Sequence, residues 1–274
     1  MKKSMKLVAS SFLALLVIGA AVSQSRVGSP ESQAANRKPV KIVLVGDSTV
    51  AIGGGWGPGF CAAMTRNVTC IDDALNGRSS KSFIDEGAWK KALAEHGDYY
   101  LIQFGHNDQK PDPARHTDAE GSFKQYLQRY IDDVRAIGSV PILVTSLSRR
   151  TMRDGKIIED LKEYAQATRE VGAKNSIAVI DLNTLSTEML NGMTQEQADQ
   201  FDAALHPDAN AENALNAQPK LDRTHLNPHG QQVFGRIVAE QLVKAQPELG
   251  ADLELPVSTP ASALPTQTKP SSLG

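Results

Sequence analysis

The sequence predicts an α/β fold, a flavodoxin-like three-layer α/β/α sandwich built around a five-stranded parallel sheet. Three observations predict it. Apolar runs of strand length recur at 41–45, 68–75, 98–105, 140–146 and 177–182. Stretches with helical periodicity lie between them. Each run is apolar at nearly every position rather than at alternate ones, which marks strands buried on both faces. Strands of that kind alternating with helices run parallel, with helices covering each side.

Taken in order, the chain of 274 residues opens with Lys2, Lys3 and Lys6, then an apolar run from Leu7 to Val22 and small residues around Ser23. That order is the one expected of a secretory signal peptide, 1–23, followed by a polar leader, 24–39. The first strand, 41–45, stops at Gly46 and delivers Asp47, Ser48 and Thr49 to its carboxyl end. Asp47 is expected to orient the turn through its side chain, and Ser48 to sit near a helix amino end. The next segment, GGGWGPGF (53–60), reads as a flexible loop with Trp56 at its edge or lining a cleft. The only two cysteines, Cys61 and Cys70, fall on a helix and the following strand, either as a pair or as two buried thiols.

Helix 119–137 is the clearest, with Phe123, Tyr126, Leu127, Tyr130, Ile131, Val134 and Ile137 on one face. A weaker one joins Leu161, Tyr164, Ala165, Thr168 and Val171. The last follows NPHG, with Asn227 as its cap and Pro228 in its first turn. The folded core is expected over 40–250, a size that one domain handles. The remaining 251–274, rich in Pro, Ser and Thr, reads as a disordered tail.

Charge narrows the partners. The chain carries 29 basic and 31 acidic residues, and removing the three leader lysines leaves 26 against 31. No basic block stands out, which argues against nucleic acid, or a membrane after signal cleavage, as partner. Glycines at i, i+2 and i+5 are missing from the 53–60 loop and no Lys-Ser/Thr pair follows it, so both phosphate-loop fingerprints fail and no cofactor is expected. The oligomeric state is not legible.

In doubly wound folds, ligands gather at the carboxyl ends of the strands. The polar residues delivered there are Ser48, the segment NGRSSKSF (76–83) and GHND (105–108), with DRTHLNPHG (222–230) further on. A serine hydroxyl needs a base to take its proton, and the base needs an acceptor that fixes its tautomer. Asp222 and His225, three apart, meet that need if they lie on a helical turn. The N–H groups of Ser48 and Gly77 and the amide of Asn107 are the candidate oxyanion donors. Singly, each is an ordinary turn, cap or surface residue; together, on successive strand ends, they form a constellation.

The blocks GDST, NGRSSKSF, FGHND and DRTHLNPHG resemble those of the SGNH hydrolases, and within them the rhamnogalacturonan acetylesterase branch. TSLSRR (145–150) and the Gly-rich 53–60 segment are similar to that branch too. The resemblance runs from about 41 to 244. It implies a carboxylic ester hydrolase with Ser48 as nucleophile, Gly77 and Asn107 completing the oxyanion hole, and Asp222 and His225 as acid and base; the Ser48–His225 pairing itself predicts a metal-independent, serine-dependent reaction. It further implies an acetylated oligo- or polysaccharide substrate, pectic rhamnogalacturonan first, and a secreted or periplasmic protein. The long segment 199–221 departs from the pattern and is expected to reshape the cleft.

Three rival readings remain. Asp222, His225 and His229 have acceptable metal-ligand spacing, but no further ligand cluster accompanies them. A lipase or thioesterase needs an apolar trough, whereas the expected rim carries Arg78, Lys81, Arg149 and Arg150. A carbohydrate-binding protein without catalysis has no use for the full Ser, Asn, Asp and His set.

Overall fold

Alternate residues of the first strand serve opposite cores, and this fixes the layers. The computed structural model describes residues 37–204 and 221–254. The expected signal peptide, nearly all of the leader, the tail from 255 and the middle of the 199–221 segment lie outside the described residues. In strand β1 (Val40–Gly46), Ile42 and Leu44 join a core with Trp56, Phe60 and Phe234, while Val43 and Val45 join one with Trp89, Phe123 and Tyr130. All four β1 residues are fully buried, so the run has no polar face to show.

Around β1 stand β2 (Val68–Asp72), β3 (Tyr99–Gln103) and β4 (Val140–Val144). A small hairpin, β5 (Met152–Arg153) and β6 (Lys156–Ile157), precedes the fifth sheet strand, β7 (Val179–Ile180). The sheet order is β2-β1-β3-β4-β7 and every pair is parallel, the arrangement expected of a flavodoxin-like sandwich. The fifth strand is shorter than its apolar run because Asp181 caps a helix, accepting from Thr184 N–H, and Leu182 already belongs to it.

The helices are α1 (Gly57–Ala62), α2 (Ser80–Asp85), α3 (Ala88–Leu93), α4 (Ser122–Ala136), α5 (Lys162–Asn175), α6 (Leu182–Leu190), α7 (Gln195–Ala198) and α8 (Pro228–Ala245). One core lies between the sheet and α1, α6 and α8; the other lies beneath α2 to α5. Helix α4 buries Phe123, Leu127, Tyr130, Ile131 and Val134, as its periodicity requires. Asn227 caps α8 by accepting from Gly230 N–H, with Pro228 in the first turn. Among the described residues, no helix is long and apolar enough to cross a membrane.

The glycine-rich segment corrects an expectation. It is a packed connection rather than a flexible loop, and Trp56 is fully buried core, its Nε1–H donating to Gln103 Oε1 at 2.9 Å. Past Gly53, which turns at φ +98°, its glycines serve close approach. A Cβ on Gly55 would lie 2.1 Å from the Val50 carbonyl carbon, and one on Gly59 would lie 1.8 Å from Gln231 O in α8. Cys61 and Cys70 form a disulfide with Cα atoms 5.5 Å apart, so the pairing alternative holds and ties α1 to the edge strand β2.

The α1–α8 crossing yields the first prediction. A Cβ on Gly235 would fall 2.2 Å from Phe60 N, against backbone that has no room to give. Gly235→Ala is expected to lower stability by about 2–3 kcal/mol, the usual cost of overpacking. Urea unfolding checks this, and an unchanged midpoint would mean the two helices do not meet there.

Candidate active site

Ser48 Oγ lies 2.7 Å from His225 Nε2, and His225 Nδ1 lies 2.6 Å from Asp222 Oδ2. Asp222 Oδ1 also accepts from the N–H groups of Thr224 (2.9 Å) and His225 (3.2 Å). Burial works against the Asp222 carboxylate, but the His225 bond and the two backbone donors hold its pKa below the usual range. An ionised Asp222 only accepts, which assigns the ring proton to Nδ1 and leaves Nε2 free to take the serine proton.

The element that carries this pair differs from expectation. Asp222 and His225 are not on a helical turn but on strand β9 (Leu221–Leu226), antiparallel to β8 (Asp202–Ala204). Residues three apart on a regular strand face opposite sides. Here Ala203 pairs with Asp222 while Asp202 pairs with Leu226, so Arg223, Thr224 and His225 bulge out of the ladder. The bulge lets two N–H groups fold back onto Asp222 and brings the imidazole beside it.

Arg150 anchors the bulge. The sequence places it at the rim, yet it is fully buried, donating to Asp202 Oδ1 through Nε and to His225 O through Nη2 at 2.7 Å. Its backbone N–H donates to Arg223 O at 3.0 Å, and Leu226 N–H donates to Gly54 O at 2.8 Å. Of the other expected rim cations, Arg149 lines the cleft and pairs with Asp160, Arg78 pairs with Glu86, and Lys81 donates to Pro113 O. Residues 199–204 thus brace the Asp222–His225 strand, and Asp199 also takes Arg223 at 2.8 Å.

Ser48, Gly77, Asn107, Asp222 and His225 all line one cleft of about 420 Å³. A second lobe of about 500 Å³ shares Ser48, Asn107, Asp222 and His225 and extends to Arg149 and Thr151. Among the described residues, the N–H groups of Ser48 and Gly77 donate to no protein acceptor. Gly77 has φ +79°, a left-handed conformation that glycine adopts without penalty. Asn107 is buried, its Nδ2 donating to Arg78 O at 3.0 Å and its Oδ1 accepting from Lys110 Nζ at 2.8 Å.

Asp47 orients the turn as expected. It is fully buried and its Oδ1 accepts from Thr49 N–H (2.8 Å) and Thr49 Oγ1 (2.7 Å). Burial opposes the Asp47 charge, but the neighbouring His106 and the two bonds from Thr49 outweigh it and keep the pKa low. Ser48 itself lies on a single turn closed by Val50 and Ala51 N–H on Asp47 O, not at the amino end of a helix, since α1 begins only at Gly57. His229 stacks on Phe201 with ring centroids 5.3 Å apart, a packing role. Among the described residues, no group of three or more His, Cys, Asp or Glu is placed to hold a metal ion.

Sequence reasoning missed four supports: His106, Asp108, Lys110 and the burial of Arg150. His106 lies behind the Asp47 turn, its Nδ1 3.7 Å from Asp47 Oδ2, and burial lowers its pKa. Asp108 stands beside Asn107 in the GHND block, so a signal is present; Lys110 has none beyond its charge.

The profile of the GDSL-like Lipase/Acylhydrolase family matches residues 44–233. Rhamnogalacturonan acetylesterase RhgT of Bacillus subtilis is 33% identical over 229 residues, covering 80% of this chain and 94% of the relative. Probable rhamnogalacturonan acetylesterase YesY of the same organism is 35% identical over 150 residues, 52% of this chain and 69% of its own. Among solved structures, Bacillus subtilis YxiM superposes with a TM-score of 0.61 at 24% identity, over 76% of this chain and 57% of that one. Axe2, an acetylxylan esterase from Geobacillus stearothermophilus, gives a TM-score of 0.53 at 14% identity, over 76% of this chain and 96% of that one. Likeness at that identity speaks to the fold.

The two histidines separate base from packing. His225→Ala is expected to lower kcat for 4-nitrophenyl acetate by about 10³-fold or more, and His229→Ala by less than about threefold. Both variants are checked for folding by circular dichroism. A folded His229→Ala protein as inactive as His225→Ala would show that the base is misassigned.

Proposed function

The chain belongs to the GDSL-like lipase/acylhydrolase family, in its rhamnogalacturonan acetylesterase-like SGNH branch, and is a carboxylic ester hydrolase; from this premise we propose that it deacetylates polysaccharide, pectic rhamnogalacturonan in particular, through an acetyl-enzyme on Ser48. The observation that carries the mechanism is the unbroken chain Ser48–His225–Asp222 at 2.7 and 2.6 Å.

In this mechanism His225 Nε2 takes the Ser48 proton as Oγ attacks the acetyl carbonyl carbon. The carbonyl oxygen becomes an oxyanion that accepts from Ser48 N–H, Gly77 N–H and Asn107 Nδ2, donors already unpaired or half-paired in the free protein. Asp222 stabilises the imidazolium. That imidazolium then protonates the departing sugar oxygen, leaving acetyl-Ser48. Water, deprotonated by His225, attacks the acetyl carbon, and collapse releases acetate and restores Ser48.

The cleft favours a short acyl group on a sugar. Apart from Leu221, Ala203, Ala204 and glycines, its lining is polar or charged, which offers no trough for a long chain. The cleft wall carries Lys110, which makes no ion pair among the described residues, and the likeness to RhgT across most of that relative's length supports a pectic polymer. Export is part of the proposal, supported by the apolar run 7–22 and by a disulfide that persists in oxidising compartments.

Acetate release from a panel of acetylated oligosaccharides tests the substrate. Rhamnogalacturonan fragments are expected to exceed acetylxylan fragments, and Ser48→Ala to reduce turnover by about 10³-fold or more. Preference for long-chain acyl esters would overturn the acetyl reading, and full activity of Ser48→Ala would overturn the mechanism.

A further inference from the structure

We propose that Lys110 is a positioning residue of the oxyanion hole, fixing and polarising the Asn107 amide; this rests on the reading of Asn107 as an oxyanion donor. An ammonium group has donors and no acceptor, so the amide atom it meets must be the oxygen. The bond from Nζ to Asn107 Oδ1 is 2.8 Å. It forces Nδ2 to the other side, where one hydrogen goes to Arg78 O at 3.0 Å. Among the described residues, the second hydrogen has no protein acceptor, and Asn107 lines both lobes of the cleft. Without the lysine, a half-turn of the amide would present an acceptor to the oxyanion.

The charge adds to the geometry. Amide oxygen and nitrogen share one conjugated system, so a cation on the oxygen draws density from the nitrogen and strengthens N–H as a donor. Charge-assisted bonds are the stronger kind, and chained hydrogen bonds reinforce each other. The local fold is set for this. Lys110 N–H closes a turn on Asn107 O at 3.2 Å, which returns the lysine side chain over residue 107. Three cations line the second lobe, and two are neutralised: Arg149 by Asp160 and Arg223 by Asp199. Lys110 makes no ion pair among the described residues, so its charge is available to the amide.

A cation in a cleft could instead attract an acidic substrate, and a neutral ester removes that effect. The test is a double-mutant cycle on 4-nitrophenyl acetate with Lys110→Met, Asn107→Ala and the double variant, each checked by circular dichroism. Asn107→Ala alone is expected to lower kcat by about 10²- to 10³-fold. Lys110→Met is expected to lower kcat by about tenfold with KM changed less than about twofold, and Lys110→Arg to restore most of the loss. In the Asn107→Ala background, Lys110→Met should change kcat by less than about twofold, because its effect passes through the missing amide. An equal loss in both backgrounds, an unchanged kcat in the first, or a change confined to KM would overturn the proposal. A loss below about fivefold for Asn107→Ala would instead overturn the reading of Asn107 itself.

Discussion

A carboxylate buried where the sheet stops holds the rim loops in register. Parallel strands end together, and the loops that leave them have no ladder to satisfy their polar groups. Asp108 takes up that demand after β2 and β3. It accepts from Ser80 Oγ at 2.5 Å, from Ser80 N–H at 3.1 Å, from Gly105 N–H at 3.0 Å and from Thr117 Oγ1 at 2.8 Å. Burial pushes its pKa up to about 6 even so. The Gly77 loop and the Asn107 loop are therefore tied to one group, and removing any donor leaves a buried carboxylate short of a partner.

The same device with opposite sign holds the other half of the site. Arg150, from the loop after β4, is a buried cation whose acceptors are the Asp202 carboxylate and the carbonyl of His225. Ser48 rides on the turn after β1 and His225 on a bulged strand from far along the chain. Their Oγ–Nε2 bond depends on two loops being positioned independently and still meeting. Gly54 completes the fit, since a Cβ there would stand 3.2 Å from His225 Cβ and Cδ2. The polar turn after β1 is thus closed on Asp47 O, braced by Thr49 on the Asp47 carboxylate and overlain by His225.

The sheet is legible in the sequence because burial on both faces forces apolar residues at consecutive positions of β1, which no surface element needs. The fifth strand reads too long because Leu182 continues the apolar run while Asp181 has already started α6. The 53–60 glycines mislead because composition cannot distinguish a glycine that frees the chain from one that lets two backbones touch. The five candidate site residues are legible through their four blocks. The spacing of Asp222 and His225 leads to the right partners by the wrong geometry, since a bulged strand and a helical turn both bring residues three apart together. Lys110 and Arg150 are not legible in their roles, and Asp108 only through its place in the GHND block, because an acidic or basic residue in a loop reads as solvated surface until its burial and partners are known.

Those supports make the proposed oxyanion donors dependent on one another. Asn107 Nδ2 donates to the carbonyl of Arg78, so the amide side chain holds the Arg78–Ser79 peptide, one residue beyond Gly77. Gly77, at φ +79°, turns its own N–H out of the local bonding, and Arg78 N–H closes the same turn on Leu75 O at 3.3 Å. A residue with a side chain at 77 would resist that φ at a cost of about 1–2 kcal/mol. Deleting the Asn107 amide therefore removes one donor and also releases the loop that carries another. On the proposed mechanism the two losses are not separable by single substitutions, and the rate effect of Asn107 measures the integrity of the proposed hole rather than the strength of one hydrogen bond.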